Sequence, residues 1–189
     1  MPDVFDMQNT IQSITAHCLQ SPHKDPVRIL LELMQTPAVR IHGPEHHILV
    51  GACLLTACKN AGAQADLSAS LAEMAKRGAA YPGAACGMWG VCGAAASCGM
   101  AVSILTGAGP LSAESWRHAN AVSARALSAI APLGGPRCCK RDSFTALLQA
   151  GAYIRQEMGI PLQLPERIFC GFSGQNAQCI GTACPYHVK

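Results

Sequence analysis

A chain of 189 residues, half of them hydrophobic and 13% charged, holds enough apolar material for one packed domain with a small appendage, which excludes a disordered chain. Its net charge of +3 falls short of the dense basic field that nucleic-acid binding requires, so nucleic acid is not an expected partner. Eleven cysteines, with no charged-then-apolar leader at MPDVFDMQNT, read as reduced thiols of a cytoplasmic protein rather than as a secreted disulfide framework.

In chain order, Phe5, Ile11, Ile14 and Leu19 recur at helical spacing and predict a helix over 5–19. Asp25 is a candidate N-cap for a helix opened by Pro26 in VRILLELMQ. After the loop TPAVRIHG, Pro44 fits the first turn of PEHHILVGACLLTACKNAG, with Gly62 as its stop. Cys53 and Cys58 on that apolar helix read as core residues. DLSASLAEMAKRG is a shorter amphipathic helix capped by Asp66.

Residues 84–107, AACGMWGVCGAAASCGMAVSILTG, carry no charge and are long enough to span a bilayer. Their Ala, Gly, Cys and Ser content and the lack of a flanking aromatic belt predict a buried central helix instead, and no membrane partner. Gly87, Gly90 and Gly93 would line a small-residue stripe on it, for a bulky cofactor or for tight helix packing. SAESWRHANAVSARALSAIA, begun by Ser112 and ended by Pro132, predicts the next helix. RDSFTALLQAGAYIRQEMG predicts the last, terminated by Gly159, and IPLQLPERIF alone looks extended. The expected architecture is all-α: a bundle of six or seven helices over 1–160 around the Gly/Ala-rich central helix, with a Cys-rich knuckle at 161–189 packed on it. A homodimer and a monomer are equally compatible with such a bundle.

The thiols carry the chemical signal. Cys170, Cys179 and Cys184 fall within fifteen residues, separated by Gly, Ser and Asn that permit tight turns, which predicts a metal-binding knuckle. His187 would complete a Cys3His zinc site, or a distant thiolate would complete an iron–sulfur cluster; the C-x8-C-x4-C spacing names neither metal. Cys86, Cys92 and Cys98 follow at intervals of six, which turn a helix by about 600° and scatter the three unless the glycines break its first part into a loop. Cys98 therefore reads as core.

In GGPRCCKRDS, Cys138 and Cys139 precede a helix and sit among Arg137, Lys140 and Arg141, so dipole and charge together predict lowered thiol pKa values and an electropositive thiolate site. One of the pair can ligate while the other stays a nucleophile, with Cys92 or Cys86 as the resolving thiol. An ordinary exposed helix start with basic solvation is the plain alternative. Upstream, His42, His46 and His47 with Glu45 in RIHGPEHH read first as capping and loop-packing groups, with His42 and His46 as metal ligands or His47 as a proton shuttle the alternative; the stretch is not HExxH, so a zincin-like hydrolase is not supported.

Taken together, RIHGPEHHILV, CGMWGVCGAAASCGMAVSILTG, GGPRCCKRDS and the terminal C-x8-C-x4-CPY resemble an uncharacterised cysteine-rich family, a domain of unknown function found mainly in anaerobic bacteria and methanogens. The resemblance covers most of the chain. It implies that Cys86, Cys92, Cys138, Cys139, Cys170, Cys179 and Cys184 belong to the family pattern and that Cys18, Cys53, Cys58 and Cys98 do not. VCGAAASCGMAVSILTG and CKRDSF also bear a fainter likeness to a family credited with redox activity, whose pattern is Cys, Gly-Cys-Ala-x-x-Gly, Cys, Cys. The order here differs, running Cys92-Gly93-Ala94-Ala95-Ala96-Ser97-Cys98-Gly99. That likeness implies a helical, cysteine-lined redox or cluster site.

The leading expectation is an iron–sulfur protein of anaerobic redox or sulfur metabolism, serving electron or sulfur transfer. Cys86, Cys92 and one of Cys138 or Cys139 would ligate the cluster, joined by Cys170, Cys179 and Cys184, and Arg137, Lys140 and Arg141 would stabilise the anionic cluster or a small sulfur-containing substrate or redox partner. Two alternatives stand beside it: a non-enzymatic module stapled by zinc, and a metal-free thiol–disulfide protein in which Cys138 or Cys139 attacks.

Overall fold

The structure is a computed structural model and describes residues 6–188. The expected helical position Phe5 and the outer limits of the two expected segments, 1 and 189, lie outside the described residues. Within them the protein is all-helical: α1 (Met7–Gln20), α2 (Pro26–Met34), α3 (His46–Asn60), α4 (Leu67–Ala80), α5 (Ala85–Met88), α6 (Gly93–Thr106), α7 (Glu114–Ile130) and α8 (Cys139–Glu157). Short 3-10 turns follow at Ala131–Leu133, Ser173–Gln175 and Gly181–Ala183, and a single bridge pairs Cys170 with His187.

The caps at Asp25 and Asp66 act as the sequence predicts, whereas the helix expected from Ser112 starts at Glu114 with Ala113 before it, and Ser112 Oγ accepts from the Gly109 amide instead. Asp25 accepts hydrogen bonds from the amides of Val27 and Arg28, and Asp66 from that of Ala69, which satisfies otherwise orphaned donors of the first turn. The helix expected from Pro44 begins two residues later, at His46, with Pro44 and Glu45 in the turn before it. Residues 160–169 carry no regular structure, in keeping with two prolines that cannot donate to a ladder.

The centre of the bundle is α3 paired with α6. α4 packs on both, α7 on α6, and α8 on α7, α6 and α3, while α1 and α2 cover the remaining side of α3. α3 is apolar all round and buried continuously from Ile48 to Cys58, as befits a helix with neighbours on every side. Small residues set the close approach. A Cβ on Gly51 would meet Met74 Sδ at 2.3 Å, and one on Gly99 would meet Ser123 Oγ at 2.0 Å. Between the two helices Ser97 Oγ accepts from the Gly51 amide (2.8 Å) and donates to the His47 carbonyl (2.6 Å).

The predicted uninterrupted helix over 84–107 is broken. Ala84 (φ 64°) and Gly90 (φ 68°) are both left-handed, which ends α5 after one turn and lets α6 start afresh at Gly93. The expected six or seven helices are thus seven of two or more turns plus the short α5. Nor do the three glycines form one stripe: a Cβ on Gly87 or Gly90 would meet nothing, whereas one on Gly93 would fall 2.1 Å from the His47 ring. No helix among the described residues is long and apolar enough to cross a membrane.

Candidate functional site: two cysteine pockets around one vicinal pair

The break before α6 and the start of α8 set out the thiols. Cys92 becomes the N-cap residue of α6 and Cys138 that of α8, where its Sγ accepts from the Arg141 amide at 3.5 Å. Cys138 is extended and Cys139 is the first helical residue, so the two adjacent side chains diverge. They open onto different pockets.

Cys138 shares a narrow, largely enclosed pocket with Cys170, Cys179 and Cys184, together with Lys140 and Phe172. The terminal segment is fastened there by Cys170 N–H to the Tyr186 carbonyl (2.7 Å) and by a Thr145 to Tyr186 hydroxyl pair (2.9 Å). Leu162, Ile168 and Phe172 insert into the same core as the helices. The expected fourth ligand His187 does not line this pocket; it lies in the neighbouring groove beside Cys184, and a thiol from α8 takes the place beside the other three.

Lys140 is the unusual member. It is 1% exposed, its ammonium lies 4.8 Å from the Phe172 ring centroid, and Nζ has no hydrogen-bond partner. Burial pulls its pKa down to about 8 against the opposing pull of Glu45 and of Cys139, Cys138 and Cys170.

Cys139 faces a second pocket, which it shares with Cys86, Cys92, His46 and Asp142. Arg137 borders it, and Cys86, Cys92, Arg137 and Asp142 also line an open groove towards the 130–137 turn. Asp142 is held by Arg141 Nε (3.1 Å), while the Arg141 guanidinium ties down the Gly134 and Pro136 carbonyls at 2.7 and 3.2 Å. Cys92 Sγ lies 4.0 Å from Asp142 Oδ2.

His42 and Asn176 join the two pockets. His42 Nε2–H donates to Asn176 Oδ1 (3.0 Å) and Nδ1 accepts from the Cys139 amide (3.4 Å), while Asn176 Nδ2 reaches Cys138 Sγ at 3.5 Å. His42 therefore braces Asn176 and the Cys139 amide and lines neither pocket, which leaves it a packing role and not that of a metal ligand. His47 packs on Gly93 and donates from Nδ1 to the Tyr81 carbonyl (3.3 Å). Asn176 carries no chemistry that a sequence reading would single out; its position in a turn-rich stretch was the one available cue.

The lowered thiol pKa values expected at 138 and 139 are overturned. Burial pushes both thiols up, and the neighbouring Asp142 adds to the rise. The helix-start amide at Cys138 and the adjacent arginines offset only part of that. Burial likewise raises Cys170, and lifts Cys92 to about 12 with Asp142 as the second cause. The basic run is not a solvated face: Lys140 and Arg141 are both buried and both line the Cys138 pocket, Arg141 bordering the open groove as well. Cys18, Cys53, Cys58 and Cys98 lie in the core, as expected of thiols acting as small hydrophobes.

All eleven cysteines are free thiols. Among the described residues no group of three or more His, Cys, Asp or Glu side chains could hold a metal ion as they stand. A family model described as a family of unknown function, DUF5714, matches residues 14–187. No curated protein and no solved structure matches the chain.

Proposed function

Since the chain belongs to the DUF5714 family, whose function is unknown, we propose a function from the site itself: an iron–sulfur protein whose cluster is held by Cys138, Cys170, Cys179 and Cys184 and serves electron transfer. The observation that carries this reading is one pocket lined by four thiols from two distant segments together with a buried, partnerless ammonium. An isolated buried cation costs on the order of several kcal/mol, so Lys140 calls for an anion beside it. Four thiolates around a cluster leave the assembly negative, and Lys140 would offset that charge.

The two candidate occupants differ in the ring of sulfurs they need. Around one zinc, bonds of about 2.3 Å draw the sulfurs to about 3.8 Å of one another. A cluster spreads its thiolates over several iron atoms and accepts a wider ring. Held by Cys138, Cys170, Cys179 and Cys184 alone, a cluster would offer no iron to substrate and would supply outer-sphere electron transfer. The free thiols fit a reducing compartment such as the cytoplasm and an anaerobic metabolism, with a redox protein or a small sulfur compound as partner.

Anaerobic purification followed by iron and labile-sulfide analysis tests this. The expected result is a coloured protein that loses iron and sulfide together on Cys138→Ser or Cys179→Ser. A folded, colourless, metal-free wild type overturns it. The enclosed shape of the pocket favours one other occupant, a structural zinc on the same four thiols. One tightly bound zinc per chain without sulfide, and loss of the C-terminal segment's order on chelation, identifies that case.

A further inference from the structure

We propose that Cys86, Cys92, Cys139 and His46 hold a second metal centre, separate from the four-thiol site and independent of what fills it. The three thiols and His46 line one pocket although they come from α5, the start of α6, the start of α8 and the start of α3. His46 is 1% exposed, and its Nδ1 lies 3.1 Å from the Gly43 carbonyl. A carbonyl only accepts, so Nδ1 carries the proton and Nε2 bears a lone pair. That Nε2 is buried and has no partner. An imidazole fixed through one nitrogen by a backbone carbonyl, with the other nitrogen bare, is the usual arrangement of a metal-ligating histidine.

Three thiolates and one neutral imidazole form a donor set for thiophilic metals, as a lone ion or as part of a cluster. The surroundings carry both signs of charge, with the Asp142 carboxylate lining the pocket while held by Arg141 Nε. Arg137 borders the pocket and supplies positive charge. Ser143 Oγ, also buried, lining the pocket and without a partner, is available to donate to a ligating sulfur. Metal can enter through the open groove that Cys86 and Cys92 also line. His47 is not the fourth donor: its ring is packed against Gly93 and its Nδ1 is engaged with Tyr81. The divergence of adjacent side chains gives each centre one member of the 138–139 pair.

The test is total zinc, iron and sulfide per chain, measured on anaerobically purified full-length protein and on variants checked for helical content. Cys139→Ser, Cys86→Ser and His46→Ala should each remove the metal of one centre and spare that lost in Cys138→Ser. Whether zinc or iron disappears says which metal occupies the site, and either supports the assignment. His46→Cys should regain the metal that His46→Ala loses, and for an iron–sulfur occupant should lower the reduction potential of that centre, since thiolate replaces imidazole. Folded Cys139→Ser and Cys86→Ser proteins with the wild-type metal content overturn the second centre, and do so even where Cys138→Ser behaves as the four-thiol site requires.

Discussion

The two pockets differ in what holds their walls. Three of the four thiols of the Cys138 pocket come from residues 170–184, which contain only isolated 3-10 turns, whereas Cys92, Cys139 and His46 sit at the starts of bundle helices, with Cys86 alone in the single turn of α5. Helix starts are fixed by the packing of their helices. A loop is fixed by what it binds. The knuckle site should therefore depend on its occupant for order, while the Cys139 pocket should persist when empty, with His46 and Ser143 still buried in it.

Removing metal is the sharpest way to break that comparison. Stripping the protein should expose residues 170–187 to proteolysis, with a rise in cleavage of tenfold or more, and leave helical circular dichroism nearly unchanged, because a bound metal contributes on the order of 10 kcal/mol to a segment that places only Phe172 in the buried core. Cleavage starting instead between α5 and α6 would reverse the assignment. The next largest effect is expected at Lys140, where a Lys140→Met change should act with opposite signs on the two states. It should stabilise the metal-free protein by about 1–3 kcal/mol, since a buried ammonium without a hydrogen-bond partner disappears. In the loaded protein it should lower the cluster's reduction potential by on the order of 60 mV, a tenfold change for one electron. Chemical denaturation and redox titration read the two.

Asn176→Ala probes the link between the pockets. It removes the contacts to His42 and Cys138 together with the turn bond from the Gln178 amide (2.9 Å), and should cost about 1–2 kcal/mol in thermal or urea unfolding. The smallest effect belongs to the core thiols. Burial pushes Cys58 up to about 12 from 9.0, so between those values the unfolded chain ionises while the native thiol does not. The resulting stability is complete below pH 9 and is lost as pH rises towards 12, with a limiting slope of about 1.4 kcal/mol per unit. A Cys58→Ala variant, already less stable throughout, should lose stability less steeply over that range. In the native protein at pH 8, Cys58 should resist iodoacetamide until the chain unfolds.

Much of this molecule was legible residue by residue. The N-caps Asp25 and Asp66, the all-round apolar α3 and the core cysteines follow from local rules of spacing and capping, which act within a turn or two of chain. The interruption of the 84–107 run was visible only as a condition: the intervals between its cysteines made sense if glycine broke the helix, and Gly90 with Ala84 does so. Positive charge beside Cys138 and Cys139 was legible in the run RCCKR, but the burial of Lys140 and Arg141 was not, because it follows from how distant segments pack around the start of α8.

What the sequence alone determined is the set of helices, their caps, the membership of the core and the inventory of thiols, because hydrophobic period and backbone propensity are properties of short stretches. Which sulfurs meet was decided by tertiary structure. Residues 46, 86, 92 and 139 converge only once α3, α6 and α8 pack together, and Cys138 joins Cys170, Cys179 and Cys184 only once the terminal segment folds back on α8. The thiol acidities were settled there as well. Local charge predicted a fall, but the desolvation that comes with assembly is the larger effect and has the opposite sign.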